Sequence, residues 1–312
     1  MRCAVLDDYQ GVAPGIVDWP CEVVSFREHF SDENALVSAL LGYDVVVTLR
    51  ERVAFPRSVL ERLPDLRLLV ASGMRNTVID CGAARELGVT VCGTESSSTP
   101  PVELTWALVL GLTKNLLVED VQRGGWQSTV SADLHGRTLG LLGLGKIGSK
   151  VAAVGLAFGM DVQAWSQNLT AERCDEVGVR HAPSKADLLR SSDVVSVHLA
   201  LGDRTRGLIG RDDLALMPAT SYLVNTSRAA IVDSDALLEA LHAGTIAGAG
   251  LDVYDVEPLP PDSPWRTAPR LLATPHLGYV TEANYRTYFT QTVEAIGAFA
   301  AGAPIRELTA AR

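Results

Sequence analysis

Short apolar runs alternate with stretches of helical spacing along almost the whole chain. Val5-Leu6, Val23 to Phe26, Val45 to Thr48, Leu66 to Val70 and Val89 to Val91 read as strands. Between them, Ser31 reads as a helix N-cap, with Asp32 and Glu33 in the first turn. Gly88, one place beyond Leu87, marks a helix stop. Thr94 to Pro101 is polar and ends in two prolines, the composition of a linker. Pro101 then opens a long helix with Leu104, Leu108, Val109, Leu112, Leu116 and Leu117 on one broad face. A second series of strands follows at 138–142, 161–165, 194–198, 222–226, 246–252 and 271–273, and a last helix runs from Thr281 to Ala301. Strands separated by helices predict parallel sheets in an α/β chain. Two domains are expected, 1–98 plus 285–312 and 99–284, the second inserted into the first. The crossings at Thr94–Pro101 and Tyr279–Asn284 serve as a hinge.

A length of 312 residues suits two such domains. The formal net charge of −10 argues against nucleic acid or an anionic membrane surface as the main partner. Cys3, Cys21, Cys81, Cys92 and Cys174 are scattered, odd in number and without a CxxC pair, so they read as reduced thiols with no metal role. The Met1-Arg2-Cys3 start runs straight into a strand pattern and lacks a secretory apolar core. No apolar run approaches the roughly 18 residues of a membrane span. A cytoplasmic protein is expected.

One stretch carries a specific chemical signal. Leu139, Leu141 and Leu142 form a buried-strand run that breaks at Gly143-Leu144-Gly145-Lys146-Ile147-Gly148, and Val151 to Phe158 follow at helical spacing. Strand, GxGxxG, helix is the dinucleotide-binding fingerprint in its proper context. Its glycines allow a tight turn, a close approach to a diphosphate and close helix–strand packing, while the helix N-terminus offers free N–H groups. The bland alternatives are a Gly-rich turn in another α/β domain and an S-adenosylmethionine site.

Three further stretches sit at the carboxyl ends of late strands, where open α/β sheets bind ligands. They are Val224 to Arg228, Leu251 to Pro258 and Ala273 to Gly278. Arg228 can grip a carboxylate with two parallel hydrogen bonds. His276 can exchange a proton near neutral pH, and Glu257 can orient it and favour its charged form. Taken singly, such an Arg is usually solvated, such a His usually a structural hydrogen-bonder, and Glu257 mere loop. Their occurrence together, downstream of GxGxxG, selects the reduction of a 2-oxo acid.

With these motifs in this order, the sequence resembles the D-isomer-specific 2-hydroxyacid dehydrogenases over nearly its whole length. That family includes phosphoglycerate dehydrogenase, glyoxylate/hydroxypyruvate reductase and formate dehydrogenase. The resemblance implies two flavodoxin- or Rossmann-like domains, with the nucleotide-binding domain inserted into the substrate domain. It also implies catalytic roles for Arg228 (substrate carboxylate), His276 (acid/base) and Glu257 (partner of His276). Thr105, His198, Thr226 and Asp252 then join Gly143 to Gly148 in holding the cofactor, and Glu103 matches the start of the interdomain helix. Formate dehydrogenase, whose His pairs with Gln, matches less well. The C-terminal-binding-protein corepressors, nucleotide-sensing interaction modules of the same type, are the alternative reading.

Two departures bear on specificity. Where the family's substrate loop carries Gly-x-Gly-x-Asp, this chain has Gly73-Met74-Arg75-Asn76-Thr77. Backbone N–H groups of Met74 and Arg75 can still hold a carboxylate, and the added guanidinium narrows the pocket or meets a second anion. Arg50 and Arg52 fall after the Val45 strand, on the same side or as a solvated basic edge. Ser166 stands where many NAD enzymes carry Asp, followed by the neutral Gln167 and Asn168. Arg173 and Arg204 are distant candidates for charge there. The expectation is relaxed use of NAD(H) or NADP(H), leaning to NADP(H). Its substrate is a small 2-oxo or 2-hydroxy acid bound in the cleft between the domains. Trp106 and Leu110, off the main stripe, together with Trp126, predict a homodimer.

Overall fold

The structure is a computed structural model describing residues 1–308. Contacts divide the chain into two units, the first Met1–Ser97 with the chain from Val280 onward, the second Ser98–Tyr279. In the first unit, β1 (Arg2–Leu6), β2 (Glu22–Ser25), β3 (Val45–Thr48), β4 (Leu68–Ala71) and β5 (Thr90–Gly93) form one parallel sheet in the order β2-β1-β3-β4-β5. The interior strands β3 and β4 are buried at every position, as strands covered on both faces must be. Outside the ladder, Gly93 donates to Arg306 and Leu308 to Val91, so the end of the described chain lies antiparallel along β5 and covers an otherwise open edge.

The helix Glu282–Ala300 belongs to this unit. Thr281 caps it by accepting from Asn284 N–H, and Tyr288 and Phe289 are fully buried. The predicted Ser31 cap moves by one residue. Asp32 accepts from Ala35 N–H at 2.8 Å, because its extended backbone aims the carboxylate back into the first turn.

The second unit holds β6 (Thr138–Leu142), β7 (Asp161–Trp165), β8 (Arg180–His181), β9 (Val194–Val197), β10 (Tyr222–Asn225), β11 (Gly248–Leu251) and β12 (Leu271–Ala273), all parallel, in the order β12-β11-β10-β9-β6-β7-β8. Separate apolar clusters cover its two faces. One includes Leu142, Val195, Val197 and Leu223, the other Leu139, Leu141, Val151 and Val224. The fold is therefore α/β with two parallel sheets. The order reverses at β6, so β6 and β9 flank a switch point whose carboxyl edge is the natural ligand position.

The helix opened by the prolines runs Pro100–Thr113, one residue earlier and shorter than expected. Leu116 and Leu117 lie beyond its end and are 58% and 50% exposed. Trp106 is no surplus surface residue. It is buried in the second unit's core, with its ring 5.1 Å from that of Phe158. The exposed apolar groups instead gather downstream, at Val118, Val121, Trp126 and Val130. Among the described residues no helix is long and apolar enough to cross a membrane.

Candidate active site

At the end of β6 the chain turns through Gly143 into the helix Lys146–Ala157, for which Gly145 is the N-cap. Gly143 has φ of +102°, and a Cβ there would lie 2.7 Å from the His198 carbonyl oxygen. A Cβ on Gly148 would lie 2.2 Å from the Gly143 oxygen, so both positions must be glycine for the turn to close. Gly145 differs. Its φ of −82° suits any residue, and a Cβ there would meet nothing within 4 Å. Glycine thus leaves a cradle open at a helix N-terminus, as a diphosphate requires. The residues present fit a dinucleotide.

Neighbours frame the cradle. Gly143 N–H donates to the Trp165 carbonyl at 2.9 Å, which sets the half-buried Ser166 beside the turn. Leu144 is buried and Ile147 half-buried, while Lys146 and Gln167 are exposed. His198 directly follows β9, its Nε2 2.9 Å from Ser196 Oγ. Protein packed around its ring lowers this imidazole to about 4 through burial, although the residue keeps some exposed surface. Thr105, fully buried, hydrogen-bonds Thr226 at 2.9 Å and donates to the Pro101 carbonyl at 2.7 Å. Glu103 points to solvent.

The three catalytic candidates lie on loops at the same carboxyl edge. Arg228 follows β10. Asn225 shapes its turn by accepting from Ser227 N–H at 3.0 Å and donating to the Arg228 carbonyl at 2.9 Å. Its guanidinium donates to the Ser227 carbonyl at 2.8 Å. His276 follows β12, and Nδ1 lies 2.5 Å from Glu257 Oε2. A carboxylate oxygen only accepts, so Nδ1 carries the hydrogen and Nε2 is the atom left for chemistry. Glu257 is itself held, because Oε1 accepts from Tyr254 N–H at 2.9 Å. His276 adopts φ of +53°, an uncommon state for a non-glycine residue.

Asp252 holds that backbone in place. Its buried carboxylate accepts from Thr274 Oγ1 (2.6 Å), Leu277 N–H (2.7 Å) and Gly278 N–H (2.9 Å), which straddle His276. Burial pushes this carboxyl above its ordinary range, while those donors and the nearby His276 pull it back. With three donors accepted, about one of the carboxylate's four lone-pair sites is left for a ligand. This clamp escaped the sequence reading. The only signal was an Asp at the carboxyl end of β11.

In the first unit, Arg50 has φ of +66°, with its N–H on Ser72 Oγ at 2.7 Å and its carbonyl accepting from Asn76 at 3.4 Å. A Cβ on Gly73 (φ +110°) would lie 3.2 Å from Arg50 Nη1, so the Gly73 loop and Arg50 are immediate neighbours. Arg52 lies over the Tyr9 ring, and Met74 and Arg75 are exposed. The sequence reading also missed an acid–imidazole pair at this edge. Buried Asp7 Oδ1 accepts from Tyr9 Oη and faces His29 Nδ1, each at 2.9 Å.

Comparison with known proteins identifies the family of this fold. Residues 106–278 match the family described as D-isomer specific 2-hydroxyacid dehydrogenase, NAD binding domain. Glyoxylate reductase of Aeropyrum pernix is 39% identical over 78% of this chain and 76% of its own length. D-3-phosphoglycerate dehydrogenase of Methanocaldococcus jannaschii is 33% identical over 85% of this chain, which spans about half (51%) of that longer protein. The crystal structure of phosphoglycerate oxidoreductase from Vibrio cholerae o395 superposes with a TM-score of 0.93 at 36% identity, covering 97% of this chain and 100% of that one. The chain belongs to the D-isomer-specific 2-hydroxyacid dehydrogenases, oxidoreductases with an NAD-binding domain, here carried by the second unit.

Proposed function

We propose that this protein reduces a 2-oxo acid to a D-2-hydroxy acid, with Arg228, Glu257 and His276 acting on the substrate. The observation that carries the reading is the 2.5 Å Glu257–His276 contact, set on a loop that Asp252 clamps from both sides. Arg228 holds the substrate carboxylate through its planar fork. Glu257 keeps the hydrogen on Nδ1, so Nε2 delivers a proton to the substrate oxygen as negative charge develops there. Arg228 offsets what charge remains. A bound reduced nicotinamide supplies the hydride. Gly143, Leu144, Gly145, Lys146, Ile147 and Gly148 hold its diphosphate, and Ser166 and Gln167 hold the adenine ribose. Thr105, His198, Thr226 and Asp252 line the nicotinamide side. Ser166 has no charge to repel a 2′-phosphate, and this supports a lean toward NADP(H) within a relaxed preference.

In the first unit, Arg50 with Gly73, Met74 and Arg75 recognises substrate, Arg75 favouring a second anionic group. We also propose a homodimer built on the second unit. The support is the exposed apolar segment around Trp126 (76% exposed) and Val130 (97% exposed), a liability if left uncovered. A monomeric mass by light scattering at micromolar concentration would count against it. The reductase reading is tested by offering glyoxylate, hydroxypyruvate, pyruvate, phenylpyruvate and 2-oxoglutarate with NADH and NADPH in parallel. Oxidation of the nicotinamide with at least one of them is expected. Failure with all five removes the reading.

A further inference from the structure

The Ser166 slot offers neutral hydrogen-bond donors and no cation within the next few residues, so it has no partner for a phosphate dianion. The fold brings one from outside. Leu169 N–H donates to the Ser166 carbonyl at 3.1 Å, a turn that starts the helix Ala171–Val177 beside the slot. Arg173, in the first turn of that helix, reaches across to the helix Lys146–Ala157 and donates from Nη2 to Ser149 Oγ at 3.1 Å. Ser149 sits directly after Gly148, and its N–H bonds the carbonyl of Gly145, the cradle residue. Ser166 follows Trp165, whose carbonyl is bonded to Gly143. The guanidinium is thus tethered to the first turn of the cradle's own helix, from a helix that the Ser166 turn leads into. It is 45% exposed.

From this we infer that Arg173 is the residue that binds the 2′-phosphate of NADP(H), with Ser166 as a neutral second donor. The inference deepens the proposed cofactor reading and rests on Ser166 facing the adenine ribose. Chemistry supports the assignment. Nη1 pairs with Glu176 at 2.9 Å and Nη2 with Ser149, two of five N–H donors, so the remainder of a planar fork is left for a phosphate. Glu176 and Ser149 together hold the fork in one orientation, which lowers the ordering cost of binding. Glu176 is itself 66% exposed and solvated, which weakens its competition for the guanidinium. Gln167 completes the rim, its Nε2 donating to the Arg204 carbonyl at 3.2 Å.

The test is calorimetric titration of the full chain with NADP+ and with NAD+, in the absence of substrate, for the wild type, Arg173→Ala, Arg173→Lys and Ser166→Asp. Arg173→Ala is expected to weaken NADP+ binding by roughly 10-fold or more and to leave NAD+ within about 2-fold, since a charge-assisted contact is lost from the phosphate alone. Arg173→Lys restores part of the loss, and the salt dependence of NADP+ binding is shallower in Arg173→Ala. Ser166→Asp weakens NADP+ through like charge. NADP+ binding unmoved in Arg173→Ala but lowered in Ser166→Asp overturns the assignment while sparing the slot. If NADP+ and NAD+ weaken equally in Arg173→Ala, Arg173 only ties two helices together, and the assignment again fails. If Ser166→Asp changes neither titration, the reading of the slot has failed, and Arg173 falls with it. Wild-type protein that does not bind NADP+ overturns both.

Discussion

The two units solve the same local problem in opposite ways. Each has a central strand running into a loop and a helix at a switch point of a parallel sheet. After β1 the loop carries Asp8. Its buried carboxylate accepts from Val12 N–H (3.1 Å), Ala13 N–H (2.9 Å) and Ser25 Oγ (2.7 Å), so the start of the short helix Ala13–Ile16 is filled by the chain's own anion. After β6 the corresponding helix start is Gly145, with nothing within 4 Å of where a side chain would begin. The first unit fills its helix start with its own carboxylate, whereas the second leaves it open, as the proposed diphosphate site requires. A helix N-terminus is therefore informative about ligands only once its existing acceptors are known.

The largest effect belongs to the second unit's chemistry. His276→Ala removes the proposed proton donor and should lower turnover by ~10²–10⁴-fold, while dinucleotide affinity, assigned to the proposed cradle, stays near wild type. Steady-state rates paired with nucleotide titration check this. A parallel loss of affinity would mean that the loop, and not the proton, had been lost. Asp8→Ala breaks the first unit's internal solution. It leaves three donors without their carboxylate at a buried site, at a cost of about 2–4 kcal/mol in denaturant unfolding. An unfolding midpoint equal to wild type would show that the carboxylate does not fill that helix start.

How much of this was legible follows from what each residue's role depends on. The strands, the capped helix from Thr281 and the strand–GxGxxG–helix signal depend on local spacing, and the structure has them within two residues, except that β1 starts three residues earlier, at Arg2. The proximity of His276 and Glu257 came from recognising two motifs in order. Leu116, Leu117 and Trp106 were misplaced because helical spacing does not reveal where a helix ends or which neighbour covers it. Here Phe158, far along the chain, covers Trp106. The two-residue β8 is too short to show a period, and the pairing of residues 306–308 with β5 has no local pattern. Asp252 and Arg173 act across 25 and 24 residues of sequence, through contacts that only packing reveals.

A smaller effect concerns His198, beside the cradle. Burial lowers this imidazole from 6.5 in the unfolded chain to about 4 in the fold. The unfolded state therefore binds the extra proton first. Stability is fully present above pH ~6.5 and is lost as pH falls toward ~4, by about 1–2 kcal/mol between pH 7 and 5. Unfolding curves at the two pH values, for wild type and His198→Gln, should show that component only in the wild type. An equal pH dependence in both would place its origin elsewhere.

The contrast between a filled and an open helix start is tested most directly by giving the second unit the first unit's solution. Gly145→Asp places a carboxylate where the backbone tolerates a side chain and where nothing lies within 4 Å of its Cβ. The measurement is calorimetric titration of wild type and Gly145→Asp with NAD+, alongside unfolding of both. The account predicts near-equal stability and at least ~10-fold weaker nucleotide binding in the variant, from carboxylate–diphosphate repulsion. Unchanged affinity in a folded Gly145→Asp protein would contradict it.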